Sequence, residues 1–126
     1  MSYWVSLHDE NGDIVDVETF EEGGTQVVGG STEADLNVTY NYGKPIRDAM
    51  VVADFPYSER FDYFGVSALH GQRAGDTITT LEVGVTILGT EQDDDYWAAT
   101  PGNAGYALNI LLGWARQYPD AVWNVN

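Results

Sequence analysis

Few residues of this sequence have the type and spacing to do chemistry, and each group has a plain structural alternative. His8 and His70 are the only side chains that ordinarily titrate near neutrality. Ser67 lies close to the second, in Val66-Ser67-Ala68-Leu69-His70, but without the glycine-framed turn that presents a nucleophilic serine, so His70 before Gly71 reads as a hydrogen-bonded turn residue. Asp9-Glu10-Asn11-Gly12-Asp13 opens like a calcium loop. It then fails as one, because Ile14 stands where the sixth position needs glycine and Phe20 where the twelfth needs a bidentate glutamate. Asp93-Asp94-Asp95 gathers carboxylates that a divalent cation would relieve, although a solvated acidic loop explains them as well. Gly102-Asn103 at a helix start offers backbone amides to an anion, with no glycine-rich phosphate loop or nearby lysine to make a nucleotide site. No catalytic residue, metal site or cofactor is therefore expected.

Two groups carry a binding reading. Glu33, Asn37, Tyr40 and Asn41, together with His70, supply carboxylate, amide, phenol and imidazole groups that could hold a ligand while neighbouring aromatics stack on it. Their alternative use is to satisfy backbone groups at a sheet edge. Seven of the 16 aromatics fall within residues 40–64: Tyr40, Tyr42, Phe55, Tyr57, Phe61, Tyr63 and Phe64. Rigid amphipathic rings lose little entropy on burial and are common at protein interfaces, so Tyr57, Phe61, Tyr63 and Phe64 are candidate partner-contact residues.

The elements that must position these groups follow from periodicity. Tyr3, Val5 and Leu7 alternate with polar residues, and Asn11-Gly12 supplies the positive φ of a tight hairpin turn before Asp13-Ile14-Val15-Asp16-Val17-Glu18. Thr25-Gln26-Val27-Val28 and Leu36-Asn37-Val38-Thr39-Tyr40 read as third and fourth strands. Pro45 suits the first turn of a helix carrying Ile46, Ala49, Met50 and Ala53 inward and ending before Pro56. Residues 76–88 fit both a strand, by β-branched alternation, and a helix, by spacing, with Asp76 or Thr77 as cap and Gly89 as terminator; the end signals favour helix. Thr100-Pro101 opens a helix of about four turns with the stripe Ala104, Ala107, Leu108, Leu111, Leu112 and Ala115. Pro119 ends it, and Ala121-Val122-Trp123 can return as an edge strand. The expected fold is a single α+β domain over residues 1–126: a small, mainly antiparallel sheet with an N-terminal hairpin and with helices on one face.

Composition narrows the class of partner. Against 20 Asp and Glu stand only 5 Lys and Arg, a net charge of −15, too few cations to build the basic stripe that nucleic acid requires. With 0 cysteines there is no disulfide scaffold or thiolate metal site. The longest apolar helical stretch, Tyr106 to Ala115, falls far short of the roughly 20 residues that span a bilayer, so no membrane span is expected. Dispersed acid with depleted lysine is the composition of proteins from salt-rich cytoplasm, where a Debye length of about 3 Å at 1 M salt screens self-repulsion; the alternative is an ordinary acidic protein, such as one that mimics DNA or binds a basic partner.

Three segments, Thr32-Glu33-Ala34-Asp35-Leu36-Asn37-Val38-Thr39-Tyr40-Asn41-Tyr42, Leu69-His70-Gly71 and Asp95-Tyr96-Trp97-Ala98-Ala99-Thr100-Pro101-Gly102-Asn103-Ala104, resemble a family of small uncharacterised proteins of tailed bacteriophages, archaeal tailed viruses and proviruses. Gly43-Lys44-Pro45 and residues 78–87 depart from that pattern. The resemblance implies a virus of a halophilic host as source and implies no particular reaction. The functional expectation is a non-catalytic viral accessory or host-interaction protein, cytoplasmic in a high-salt host, meeting a host or viral protein and able to form a homo-oligomer. A small-molecule binder or enzyme with a pocket between sheet and C-terminal helix, using Glu33, Asn37, Tyr40 and His70, is the alternative, and a minor virion component is a third.

Overall fold

A computed structural model describes residues 2–17, 25–27, 33–52, 65–95 and 97–126. In chain order these form β1 (Ser2–His8), β2 (Thr25–Val27), β3 (Asp35–Thr39), a 3-10 turn (Tyr40–Tyr42), α1 (Gly43–Val52), a second 3-10 turn (Gly65–Leu69), α2 (Ala74–Leu88), α3 (Pro101–Gln117) and β4 (Val122–Val125). The fold is α+β, with one four-stranded sheet in the order β2-β3-β1-β4. Every neighbouring pair is antiparallel.

Alternation decides which face of the sheet is buried. Val5 and Leu7 of β1 lie beside Leu36 of β3 and Val125 and Trp123 of β4 in register, and Val5, Leu7, Leu36, Val38 and Trp123 are all buried. The helices cover this face. In α3 the whole expected stripe is buried, joined by Gly105, Ile110 and Trp114, because α3 packs against both α1 and α2 as well as lying under the sheet. Its first turn has the expected cap: the Thr100 hydroxyl accepts from the Asn103 amide at 3.2 Å, with Pro101 at the first helical position. No helix among the described residues is long and apolar enough to cross a membrane.

Residues 76–88 are helical, inside α2, which ends at Gly89 with φ +73° and a Gly89 amide bond to the Val85 carbonyl of 2.8 Å. The helix starts earlier than Asp76 or Thr77, with Arg73 at the N-cap and no side-chain cap. The reason is a backbone substitute: the Ala74 and Gly75 amides donate to the Ala121 and Pro119 carbonyls at 2.8 and 2.7 Å, so the loop between α3 and β4 satisfies the first-turn donors. Thr77 is thereby freed for the core, where its hydroxyl donates to the Ala74 carbonyl at 2.7 Å and accepts from the Trp123 indole at 3.0 Å.

The hairpin turn forms around Gly12, φ +83°, with the Asp9 carboxylate accepting the Asn11 and Asp13 amides at 2.9 and 3.0 Å. Its second arm is shorter than expected. It is held by single bridges, His8 to Ile14 and Asp16 to Glu33, because β1 takes its longer ladders with β3 and β4. In α1, Ile46 and Ala49 are buried as the spacing requires. Ala53 lies outside the described residues.

Candidate functional site

The residues expected to share a ligand are spread across the sheet. Glu33 precedes β3, Asn37 is at its centre, and Tyr40 and Asn41 follow its end, so Glu33 and Tyr40 stand roughly 23 Å apart along an extended chain. His70 is on the far side of β1, beside β4. Their polar groups are also in use. Asn37 Nδ2 donates to the Ser2 hydroxyl at 2.6 Å, and His70 Nδ1 accepts the Val125 amide at 3.0 Å, which places an imidazole over the outer edge of β4 where an unpaired strand donor would otherwise face water. Glu33 is exposed and bridges Asp16 through the backbone. Two clefts among the described residues, of about 390 and 330 Å3, contain none of the five. Among the described residues, Glu33, Asn37, Tyr40 and His70 are thus spread along the sheet and are not gathered in one place. The four candidate interface aromatics, Tyr57, Phe61, Tyr63 and Phe64, lie outside the described residues.

What the fold does bring together is an aromatic rim at the end of β3. The rings of Tyr3 and Tyr40 meet with centroids 4.4 Å apart at 51°. Directly after Tyr40, Asn41 Nδ2 donates to the Trp97 carbonyl oxygen at 2.7 Å, tying the rim to the loop between α2 and α3. Tyr40 is 43% and Trp97 50% exposed, two of the five exposed large apolar side chains among the described residues. Isolated exposed aromatics need no explanation; the Asn41 bond holds the Trp97 backbone beside the end of β3. The 3-10 turn that carries Tyr40 and Asn41 is itself capped, the Thr39 hydroxyl accepting the Asn41 amide at 3.3 Å.

The loop bearing Trp97 is organised from below by Asn103, which is 1% exposed. Its Oδ1 accepts the Asp93 amide at 2.9 Å, and its Nδ2 donates to the Asp95 and Ala98 carbonyls at 3.1 Å each. Within the loop, the Asp93 carboxylate accepts the Asp95 amide at 2.9 Å and the Asp95 carboxylate accepts the Trp97 amide at 3.1 Å. The acidic run is thus a chain of Asx turns whose carboxylates shape the backbone. Asp93, Asp94 and Asp95 are all exposed. At the helix start the Glu91 carbonyl oxygen lies against Gly102, close enough that a Cβ there would overlap it.

Sequence reasoning missed one nucleophile and base pair. Ser6 and His8 alternate onto the same face of β1, a spacing of two that is readable on any strand. His8 Nδ1 donates to the Gly12 carbonyl at 3.0 Å, since a carbonyl can only accept, and Nε2 is hydrogen-bonded to the Ser6 hydroxyl at 2.9 Å. Ser6 is only 6% exposed and its hydroxyl also reaches the Asn124 carbonyl at 3.4 Å, so the pair links the hairpin turn, β1 and β4. Asp35 lies across from Ser6 in register. Burial holds its carboxyl above the ordinary 3.8, the nearby Glu33 charge adds to this, and His8 opposes both. His70 Nδ1 is engaged by the Val125 amide.

Comparison of the chain with protein-family models, with curated proteins and with solved structures gives no match.

Proposed function

We propose that this protein is a non-catalytic interaction module that binds another protein through the aromatic rim of Tyr40, Asn41 and Trp97. The observation carrying this reading is the Asn41 to Trp97 clamp, which holds the backbone of the half-exposed Trp97 against the turn that carries the half-exposed Tyr40. Buried aromatic anchors of this type supply most of the energy of ordinary interfaces. The resemblance of the segments around Tyr40, His70 and Trp97 to tailed-virus proteins supports a viral accessory or host-interaction role. A net charge of −15 supports a high-salt cytoplasm, where that charge is screened.

The test is affinity capture from host lysate in about 2–3 M KCl, which keeps self-repulsion screened, comparing the native chain with Tyr40→Ala and Trp97→Ala combined. A stoichiometric protein captured by the native chain and lost by the variant, with circular dichroism unchanged, is the expected result. Equal capture by both removes the rim as the contact surface. Peptides of this protein in purified particles would move the reading to a minor virion component.

A further inference from the structure

The outer edge of β4 is closed by two different means. At Trp123 the cover is backbone: its amide donates to the Gln72 carbonyl at 3.0 Å and its carbonyl accepts the Gly71 amide at 2.8 Å, while Val122 bridges Arg73. That cover stops short of Val125. Residues 69–72 form a turn, closed by the Gln72 amide donating to the Leu69 carbonyl at 2.9 Å with Gly71 at φ +81°, so the backbone reverses before it reaches the next outward amide. The Val125 amide is met instead by a side chain, His70 Nδ1, at 3.0 Å. An amide can only donate, so Nδ1 presents its lone pair here and the ring carries its proton on Nε2.

A carbonyl in this place would accept at any pH, whereas an imidazole nitrogen accepts only while the ring is neutral. Protonation puts an N–H where the lone pair was, two donors then face each other, and the bond opens. The charged groups on the elements packed against this turn are engaged elsewhere. β4 has no titratable side chain. On β1, the Tyr3 ring meets Tyr40, and His8 is bonded to Gly12 and Ser6 at the Val122 end of the ladder. On α1, Lys44 pairs with Asp48 and the Arg47 guanidinium lies against Gly43; on the segment of His70 itself, Arg73 pairs with Asp76 and Asp120. No described ion pair includes His70. An unpaired strand edge is a template for a further strand, which is why sheets keep such edges covered. We infer that His70 is a proton-operated cover on the edge of β4, closing it while the imidazole is neutral and opening the Val125 donor when the imidazole is charged.

The test is heteronuclear NMR on the full chain in about 1 M KCl, which screens self-repulsion, between pH ~8 and ~5, the range in which imidazoles change charge. At the upper end a coupling across the N–H···N bond should link the Val125 amide to His70 Nδ1, and it should vanish on acidification with the same midpoint as the His70 ring resonances. Over the same range the protection of the Val125 amide against exchange, corrected for the intrinsic effect of pH, should fall by about 5-fold or more. The Trp123 amide, bonded to a carbonyl, should keep its protection and is the internal control. His70→Ala should leave Val125 unprotected at every pH, and His70→Gln, whose side chain does not titrate, should make that protection independent of pH. His70 is exposed, so both variants should fold, which circular dichroism checks. Absence of the coupling at pH ~8, or Val125 protection that ignores the imidazole titration across this range, would overturn the inference. So would an equal loss at Trp123, which would mean that acid loosens the whole strand.

Discussion

Asn103 offers the sharpest test of how the rim is held, because two physical arguments predict opposite signs for one substitution. Asn103 is the third residue of α3, counting from Thr100 at the cap. There an aspartate interacts favourably with the helix dipole, so helix energetics alone make Asn103→Asp stabilising by about 0.3–1 kcal/mol. The hydrogen bonds say otherwise. The side chain accepts from Asp93 and donates to the Asp95 and Ala98 carbonyls, and aspartate keeps the first bond, loses the other two, and turns a carboxylate oxygen toward two carbonyl oxygens. Two lost bonds at about 1 kcal/mol each, with acceptors left facing an acceptor, outweigh the dipole term and give a net loss of about 1–3 kcal/mol. Asn103→Ala removes all three bonds and should cost about 2–4 kcal/mol. For a chain of this length, about 4 °C per kcal/mol converts these losses to melting-temperature drops of about 4–12 °C for aspartate and 8–16 °C for alanine. Thermal unfolding by circular dichroism in molar KCl measures both, and amide exchange at Asp93 reports the loop directly, with protection retained in the aspartate variant and lost in the alanine variant. An Asn103→Asp protein as stable as the native chain, or more so, would refute the claim that this side chain organises the loop.

Gly105→Ala places a Cβ against the Gly89 carbonyl oxygen and 2.9 Å from the Leu88 Cβ, so the turn after α2 must move. A loss of about 3 kcal/mol, at the upper end of overpacking costs, is expected in thermal unfolding, although alanine is the better helix former; a stabilised variant would mean that the turn does not sit against α3. Asp35 gives a pH dependence of defined sign. Its folded carboxyl titrates above the unfolded 3.8, so the folded state binds the proton more tightly, and the contribution of Asp35 to stability is full below the unfolded value and lost as pH rises through the folded one. Asp35→Asn should therefore raise the melting temperature at pH ~7, with the gain fading toward pH ~3; a pH-independent difference would place the effect elsewhere.

The elements that local rules specify were legible. Alternation placed Val5, Leu7, Leu36 and Val38 on the buried face, and Thr100-Pro101 with the apolar stripe located α3 within a residue. The helical choice for residues 76–88 rested on Gly89, a signal whose physics is confined to one turn. Its start was misplaced because the caps of Ala74 and Gly75 are carbonyls of Ala121 and Pro119, more than forty residues away, and no nearby residue announces them. The candidate site failed for a related reason. Composition says that Asn37, Tyr40, Asn41 and His70 can bind something; it does not say that Ser2 and Val125 already take the groups of Asn37 and His70. The Asn41 to Trp97 bond spans 56 residues, so only the folded chain shows that the Trp97 backbone meets the turn after β3. Ser6 and His8 were the exception, readable from strand spacing and overlooked.

Two asparagines divide the work of holding the loop that bears Trp97. Asn103 is buried and holds the acidic loop through three bonds, while Asn41 is exposed and holds the resulting Trp97 backbone to the end of β3. One amide fixes the loop to the core and the other fixes it to the sheet. An exposed ring on an unsupported loop would lose rotational and backbone freedom on binding, at about 1–2 kcal/mol per ordered residue. Pinning the loop at both ends places that cost in folding, so that a partner meets Trp97 already in place. A purely structural account of the two asparagines predicts that Asn41→Ala changes stability alone, whereas a presentation role predicts that it weakens partner capture at conditions where the variant is fully folded. Capture and thermal unfolding measured on the same variant separate those outcomes, and the second is the one the clamp geometry requires.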